Sequence, residues 1–177
     1  MRIAPCVILV LCACAGSPSS EQVAKQPMIF QSPETGVLAA ERPRSVAFET
    51  PASPNVAATA VRLVYQQLEV PVKVDNPTTH QIGNASFYKT HTFAGKQMPE
   101  LVNCGSSMTG PKAASYRIYM SLLTDVVPDG HGGTKLQTLF VSSAQDMSGG
   151  STDPVPCAST GKLEALVNER IQNLIGK

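Results

Sequence analysis

The chain has 177 residues, 42% of them hydrophobic and 15% charged, with 14 basic against 13 acidic side chains. That is enough apolar material for one core of ordinary domain size, which excludes a chain disordered throughout. Charge is nearly balanced and no short window is rich in Lys or Arg, so the electrostatic footprint of a nucleic-acid binder is absent and no nucleic-acid partner is expected.

At the N-terminus, Met1-Arg2 precede an apolar run from Ile3 to Leu11, and Cys12-Ala13-Cys14-Ala15-Gly16 follow. A short positive start, about nine apolar residues and a small-residue cleavage region are the three parts of a secretory signal. The run is too short for a membrane span, which needs roughly 20 residues. Leu11-Cys12-Ala13-Cys14 resembles the lipobox of bacterial envelope lipoproteins: an aliphatic residue, a tolerant position, a small residue, then the cysteine that is acylated. The resemblance implies that residues 1–13 are a signal peptide and that Cys14 becomes a lipidated N-terminus. It also implies attachment to a membrane, on the periplasmic side of the outer membrane. The rival reading, cleavage after Ala15 by the Ala13-x-Ala15 pattern, releases a soluble exported protein. Removing residues 1–13 deletes Arg2 and no acid, so the remaining chain carries 14 − 1 = 13 basic against 13 acidic residues.

Residues 14–43 are rich in Ser, Pro, Gln and Glu, with Pro18, Pro27, Pro33 and Pro43 irregularly spaced. No helical or strand period survives there, which reads as a flexible tether. Met28-Ile29-Phe30 is a hydrophobic fragment suited to docking on the domain.

A single α+β domain is expected over 44–177. Val46 and Phe48 alternate with Ala47 and Glu49 as a short strand ending at Pro51. Ser53-Pro54 is a helix start, and Val56, Ala60, Leu63, Val64 and Leu68 form the inward stripe of a helix over 54–69. Val70, Val72 and Val74 alternate as a strand, with Asp75-Asn76-Pro77 as its turn. Residues 81–93 form the next strand, with a bulge hinted at Gly83-Asn84. One helical turn falls at 98–103 and a loop at 106–111. The clearest strand pair is 115–127 with 134–144, joined by Pro128-Asp129-Gly130-His131-Gly132-Gly133. Both strands are partly apolar on two faces, so they are central, with helix on one side and a lighter cover on the other. After a polar loop at 145–155, a helix over 160–175 carries Leu163, Leu166, Val167, Arg170, Ile171, Leu174 and Ile175 as one stripe that only Arg170 interrupts. The expected fold is an antiparallel sheet of about four to five strands with two helices on one face, in the order β-α-β-β-β-β-α.

With Cys6 and Cys12 discarded and Cys14 acylated, Cys104 and Cys157 remain as an even pair in an oxidising compartment, which predicts a disulfide. It closes about 54 residues, stabilising by roughly 4 kcal/mol in the chain-entropy model. His80, His91 and His131 lack metal-ligand spacing, and His80 and His91 come together only if they face each other across a hairpin. Ser159-Thr160-Gly161-Lys162 lacks the upstream glycine of a phosphate loop. It matches the serine-x-x-lysine of penicillin-binding enzymes without their companion motifs, and reads instead as the cap of the last helix by Ser159 or Thr160. Asp125, Asp129, Asp146 and Asp153 read as turn formers, and Tyr88, Tyr116 and Tyr119 as half-core residues able to serve a binding surface.

No catalytic, cofactor or metal residues are assigned. In size, tether and element order the chain looks like the small accessory lipoproteins of outer-membrane assembly machines, which implies a binding or accessory module with envelope proteins as partners. The alternatives are a small envelope hydrolase built around Ser159 or a histidine, and a carrier of a lipid or other apolar ligand, which requires an internal cavity.

Overall fold

The structure, a computed structural model, describes residues 29–32, 36–39, 44–149 and 153–176; Cys14, the signal segment and much of the segment read as tether lie outside them. In chain order the elements of the main sheet and its two long helices are β1 (Arg44–Thr50), α1 (Pro54–Gln67), β2 (Val74–Asn76), β3 (Gln81–Thr90), β4 (Val102–Asn103), β5 (Arg117–Pro128), β6 (Thr134–Gln145), β7 (Val155–Ser159) and α2 (Lys162–Ile175), with short helical turns at Met98–Leu101 and Lys112–Ser115. The strands form one antiparallel sheet in the order β2-β3-β5-β6-β7-β4. β1 shares the far side of β6 with β7, pairing along Thr134–Phe140 while β7 pairs along Ser142–Ala144.

The sheet therefore has seven strands and not four to five. The two extra strands, β4 and β7, are short and pair with each other at Asn103 and Val102. β7 contains Pro156 and lies in a stretch that reads as polar loop and helix start, so only its pairing with β6 and β4 makes it a strand. Val70 and Val72 also fall outside the sheet: Pro71 has no N–H to give a ladder, and β2 begins at Val74.

The alternation in the two long strands holds. Ile118, Met120, Leu122 and Val126 of β5 and Leu136, Phe140 and Ala144 of β6 face the helices and belong to the core. α1 contributes Ala57, Ala60, Val61, Val64 and Tyr65, and α2 contributes Leu163, Val167 and Ile171. Each buried Val, Leu, Ile, Met or Phe among them contributes roughly 1.5–3 kcal/mol. The inward face of α1 is rotated from the expected stripe, since Val56 and Leu63 are 52% and 44% exposed. Positions 57, 61 and 65 occupy the interior in their place, because Tyr65 has a polar partner there. Ser53 is the N-cap residue of α1 with Pro54 behind it, but its hydroxyl makes no capping bond.

That partner begins a buried chain of polar groups across the core. The hydroxyls of Tyr65 and Thr124 are 2.8 Å apart, those of Thr124 and Thr138 are 3.0 Å apart, and Thr138 donates to Asn168 Oδ1 at 3.1 Å. Asn168 Nδ2 donates to the Val46 carbonyl at 3.3 Å. Because Thr138 spends its proton on Asn168, it accepts from Thr124, and Thr124 in turn accepts from Tyr65. The chain has one direction, and it requires Tyr65 to stay protonated. Burial accordingly pushes the Tyr65 pKa well above the ordinary phenol value. A fully satisfied network of this kind fixes how α1, α2 and three strands sit on one another.

Two glycines are dictated by close approach. At Gly83, whose φ is 149°, a Cβ would lie 2.2 Å from the Leu122 carbonyl and 3.0 Å from the Tyr65 ring. At Gly133 it would lie 2.5 Å from both the Asp129 carboxylate and the Thr50 carbonyl. The bulge foreseen near Gly83-Asn84 falls one step later, where the register against β5 shifts between Met120 and Leu122 and Ala85-Ser86 are taken up.

On the other face of the sheet Tyr119, Leu123 and Val141 are buried together with Ser121 and Ser143. A hairpin of Ile29–Ser32 with Gly36–Ala39, inside the segment read as tether, passes within 8 Å of β3 and β6 between Cα atoms. No described helix is long and apolar enough to cross a membrane.

Candidate binding edge

Cys104 and Cys157 form the expected disulfide, with Cα atoms 4.2 Å apart. Cys104 directly follows β4 and Cys157 is the central residue of β7, so the bond ties together the two short strands that close one side of the sheet. Both cysteines are buried. The bond is consistent with an oxidising compartment.

The side chains weighed for catalysis do not converge. His80 and His91 flank the two ends of β3 and stand about 30 Å apart by strand rise, so they do not meet across a hairpin. His91 Nδ1 lies 3.0 Å from the Ala114 carbonyl. Among the described residues no three His, Cys, Asp or Glu side chains gather at metal-binding distance. Asp129 Oδ1 accepts from the N–H groups of His131 and Gly133, Asp146 Oδ1 from the N–H and hydroxyl of Ser148, and Asp125 Oδ1 from Gln81 Nε2. The first two are turn formers, as their positions indicated.

Neither Ser159 nor Thr160 is the N-cap of α2; that position belongs to Gly161 in a left-handed conformation. Ser159 Oγ accepts from the Gly161 N–H at 2.9 Å and donates to Glu164 Oε1 at 2.7 Å. Thr160 Oγ1 donates to the carbonyl of Glu100 at 2.7 Å. The serine thus reaches a fully buried carboxylate in the first turn of the helix, where the dipole favours a negative group. Glu164 and Asn168 are interior polar residues that the apolar stripe of α2 concealed.

Tyr88 and Tyr119 point to the face away from the helices, their rings 6.0 Å apart; Tyr88 is half exposed and Tyr119 is buried. The Arg117 guanidinium lies 4.8 Å over the Tyr88 ring and its Nη1 is 3.4 Å from the Tyr119 hydroxyl. Tyr116 is partly buried against the core.

Tyr88 also lies beside an opening in the sheet. β2 covers β3 only along Gln81–Gly83. The Lys73 N–H reaches the Gly83 carbonyl at 2.9 Å, and there the ladder ends. Asn84, fully buried, turns its side-chain amide to the Pro71 carbonyl at 2.7 Å in place of a backbone partner. At the bulge the Ser86 N–H donates to Asn84 Oδ1 at 2.9 Å, and from Phe87 to Thr90 β3 is paired to β5 on one side and to no described strand on the other. β2 itself is held to α1 by a two-pronged contact, Arg62 Nε to Asp75 Oδ2 at 2.8 Å and Nη2 to Oδ1 at 2.9 Å. Those bonds hold the Asp75 carboxyl below its ordinary range.

A groove of about 590 Å³ runs along this open edge, walled by Pro71, Val74, Phe87 and Tyr88, with Glu69 and Lys89 at one end. Beyond them lies a second hollow of about 340 Å³, bounded by the end of α1, residues Thr92–Gly95 and Arg170 of α2. Lys89 Nζ is 3.6 Å from Glu69 Oε2 and 5.7 Å from the centre of the Phe93 ring. Asn84 stood out in the sequence only as part of a bulge, and Glu69 and Lys89 did not stand out. The one signal was Pro71 in mid-strand pattern, which marks a place where pairing stops.

No family model matches the chain, and no curated protein matches it either.

Proposed function

We propose that the chain is an exported binding module, held to a bacterial envelope membrane by lipid on Cys14, whose contact is the open edge of β3. The observation that carries this reading is the early end of β2, which leaves Phe87–Thr90 beside no described strand on that side, along a groove with apolar walls. Unpaired N–H and C=O groups in a row are the means by which a sheet adds an extended segment of another protein: main-chain bonds supply affinity and side-chain recesses supply selectivity. Lys89 and the bulge at Ala85-Ser86 are features that discourage identical edges from pairing, which favours a chosen partner over self-association. A tether between lipid and domain raises the local concentration of partners near the membrane.

Support for a hydrolase is weaker. The described partners of Ser159 are Glu164 and the Gly161 N–H, an arrangement that organises the start of α2. The hollows found are surface grooves, which does not favour a carrier with its ligand enclosed.

Photo-crosslinking in intact cells tests the reading, with the reactive side chain placed at Tyr88 or, as a control, at Thr59 on α1. The expected result is a discrete adduct from position 88 and none from position 59, with the joined partner peptide in an extended segment. Adducts of equal yield from both positions, or none from position 88, would refute the edge as contact. Fatty-acid labelling of wild type against Cys14→Ala tests the anchor, and equal labelling would refute it.

A further inference from the structure

Met108 is the most exposed large apolar side chain among the described residues, open to solvent over its whole surface (105%). It stands at the tip of a small hairpin in which Ser106–Ser107 pair with Gly110–Pro111. Local bonds hold that tip in place. Ser107 Oγ lies 3.0 Å from Thr109 Oγ1, donates to the Gly110 carbonyl at 3.1 Å and accepts from the Thr109 N–H at 3.3 Å. At the base, the Lys112 N–H donates to the Gly105 carbonyl at 3.0 Å, one residue beyond the disulfide at Cys104. The Met108 thioether therefore reaches water on a braced support and takes no part in the core. The other described methionines differ: Met98 and Met120 are core residues, 0% and 1% exposed, and Met147 is 48% exposed.

We propose that Met108 is an oxidative modification site, the first of the described methionines to be converted to the sulfoxide by a peroxide. A lone pair on the thioether sulfur attacks one peroxide oxygen and forms the S–O bond as the O–O bond breaks. With hydrogen peroxide, the second oxygen leaves with that electron pair and takes the proton of the first, so the oxidant becomes water and the sulfur loses two electrons. Access to the sulfur sets the order of reaction, and the product is a polar side chain in place of an apolar one. At the hairpin tip that dipole points into solvent and displaces no packing. At Met98 or Met120 the same dipole would enter the core without a partner, at the cost of an unsatisfied buried polar group. Oxidant is thus taken up where the fold tolerates the product, and the surface chemistry of the tip changes while the domain stays folded. The proposal is independent of the edge-docking reading above.

The test treats the full chain, its disulfide intact, with excess hydrogen peroxide and follows the sulfoxide at each methionine by peptide mass mapping. Met108 is expected to react at the rate of methionine in a short unstructured peptide, and ahead of Met147. It should outpace Met98 and Met120 by at least about tenfold, because those two react only through opening of the core. In concentrated urea the four rates should converge. Protein stopped when Met108 alone of the core and tip methionines is oxidised should keep the urea midpoint of the untreated chain. Met108→Leu, which retains an apolar side chain without sulfur, should lose the fastest phase and leave the rates of Met98 and Met120 unchanged. Oxidation of Met147, Met98 or Met120 before Met108 would overturn the proposal. So would a fall in the urea midpoint that follows Met108 sulfoxide in wild type and is missing from Met108→Leu.

Discussion

Thr138 on β6 donates a hydrogen bond to Asn168 Oδ1 on α2 at 3.1 Å, and the same amide donates onward to the Val46 carbonyl of β1. Both side chains are buried, so neither can exchange its partner for water at low cost. Asn168→Ala would remove two buried hydrogen bonds together, the one from the Thr138 hydroxyl and the one to the Val46 carbonyl. The expected loss is about 2 kcal/mol of unfolding free energy, read from urea denaturation. Tyr65→Phe, which removes only the first donor of the chain, should cost about 1 kcal/mol. Equal losses for the two would mean that Asn168 does not hold the two buried partners described.

Tyr65 also predicts an alkaline dependence. Its pKa in the folded chain is raised by burial, so above the ordinary phenol value of 10.0 the unfolded chain releases a proton that the folded chain keeps. Folded protein then binds more protons than unfolded, and stability falls as pH rises beyond about 10, by up to about 1.4 kcal/mol per pH unit for this one group. Below that pH the contribution is fully present. Denaturation series from pH 8 to about 11 on wild type and Tyr65→Phe should run parallel, with wild type the more stable, up to about pH 10 and close on one another above it; curves that stay parallel throughout would sink the assignment.

The fork between Arg62 and Asp75 works at the opposite end of the scale. Hydrogen bonds from Arg62 lower the Asp75 pKa, so its contribution is present above the unfolded value and is lost as pH falls through the folded one. Both side chains are more than a third exposed (44% and 45%), which limits the effect to less than about 1 kcal/mol. Asp75→Asn is expected to differ slightly from wild type at neutral pH and to match it near pH 2, roughly two units under an ordinary Asp pKa. Hydrogen exchange at Val74–Asn76 should accelerate in the variant, since the fork holds this short edge strand to α1.

For the disulfide, Cys104 and Cys157 are 53 residues apart in sequence, and chain-entropy arithmetic assigns their bond roughly 4 kcal/mol. The double variant Cys104→Ala/Cys157→Ala should unfold at markedly lower denaturant. Amides of β4 and β7 should lose protection before those of β5 and β6. Uniform loss of protection over the sheet would contradict a local role for the bond.

What could be read from sequence, and what could not, divides along a physical line. The period-two alternation of β5 and β6, the 3.6-residue stripe of α2, and the turn residues between the long strands are local patterns, and each names its element without reference to the rest of the chain. The Cys104–Cys157 pairing followed from an even count once the N-terminal cysteines were set aside. Short strands carry too few residues for a period, so β4 and β7 exist only because each finds a partner edge. The same holds for the face of α1: Val56 and Leu63 have helical spacing, yet Tyr65 turns inward because Thr124 waits for its hydroxyl.

Tyr88 stood out by residue type as able to serve a binding surface and Arg170 as the break in the α2 stripe, but the gathering of the residues at the candidate site belongs to this second class. Glu69, Pro71, Phe87, Tyr88, Lys89, Phe93 and Arg170 come from the end of α1, the link to β2, the far half of β3, the turn beyond it and α2. Sequence alone determined two apolar-faced strands, two helices and a pair of cysteines, because those depend on neighbours a few residues apart. Where the sheet pairing stops, and which charges meet beside it, only the tertiary structure decided, because pairing joins residues far apart in the chain.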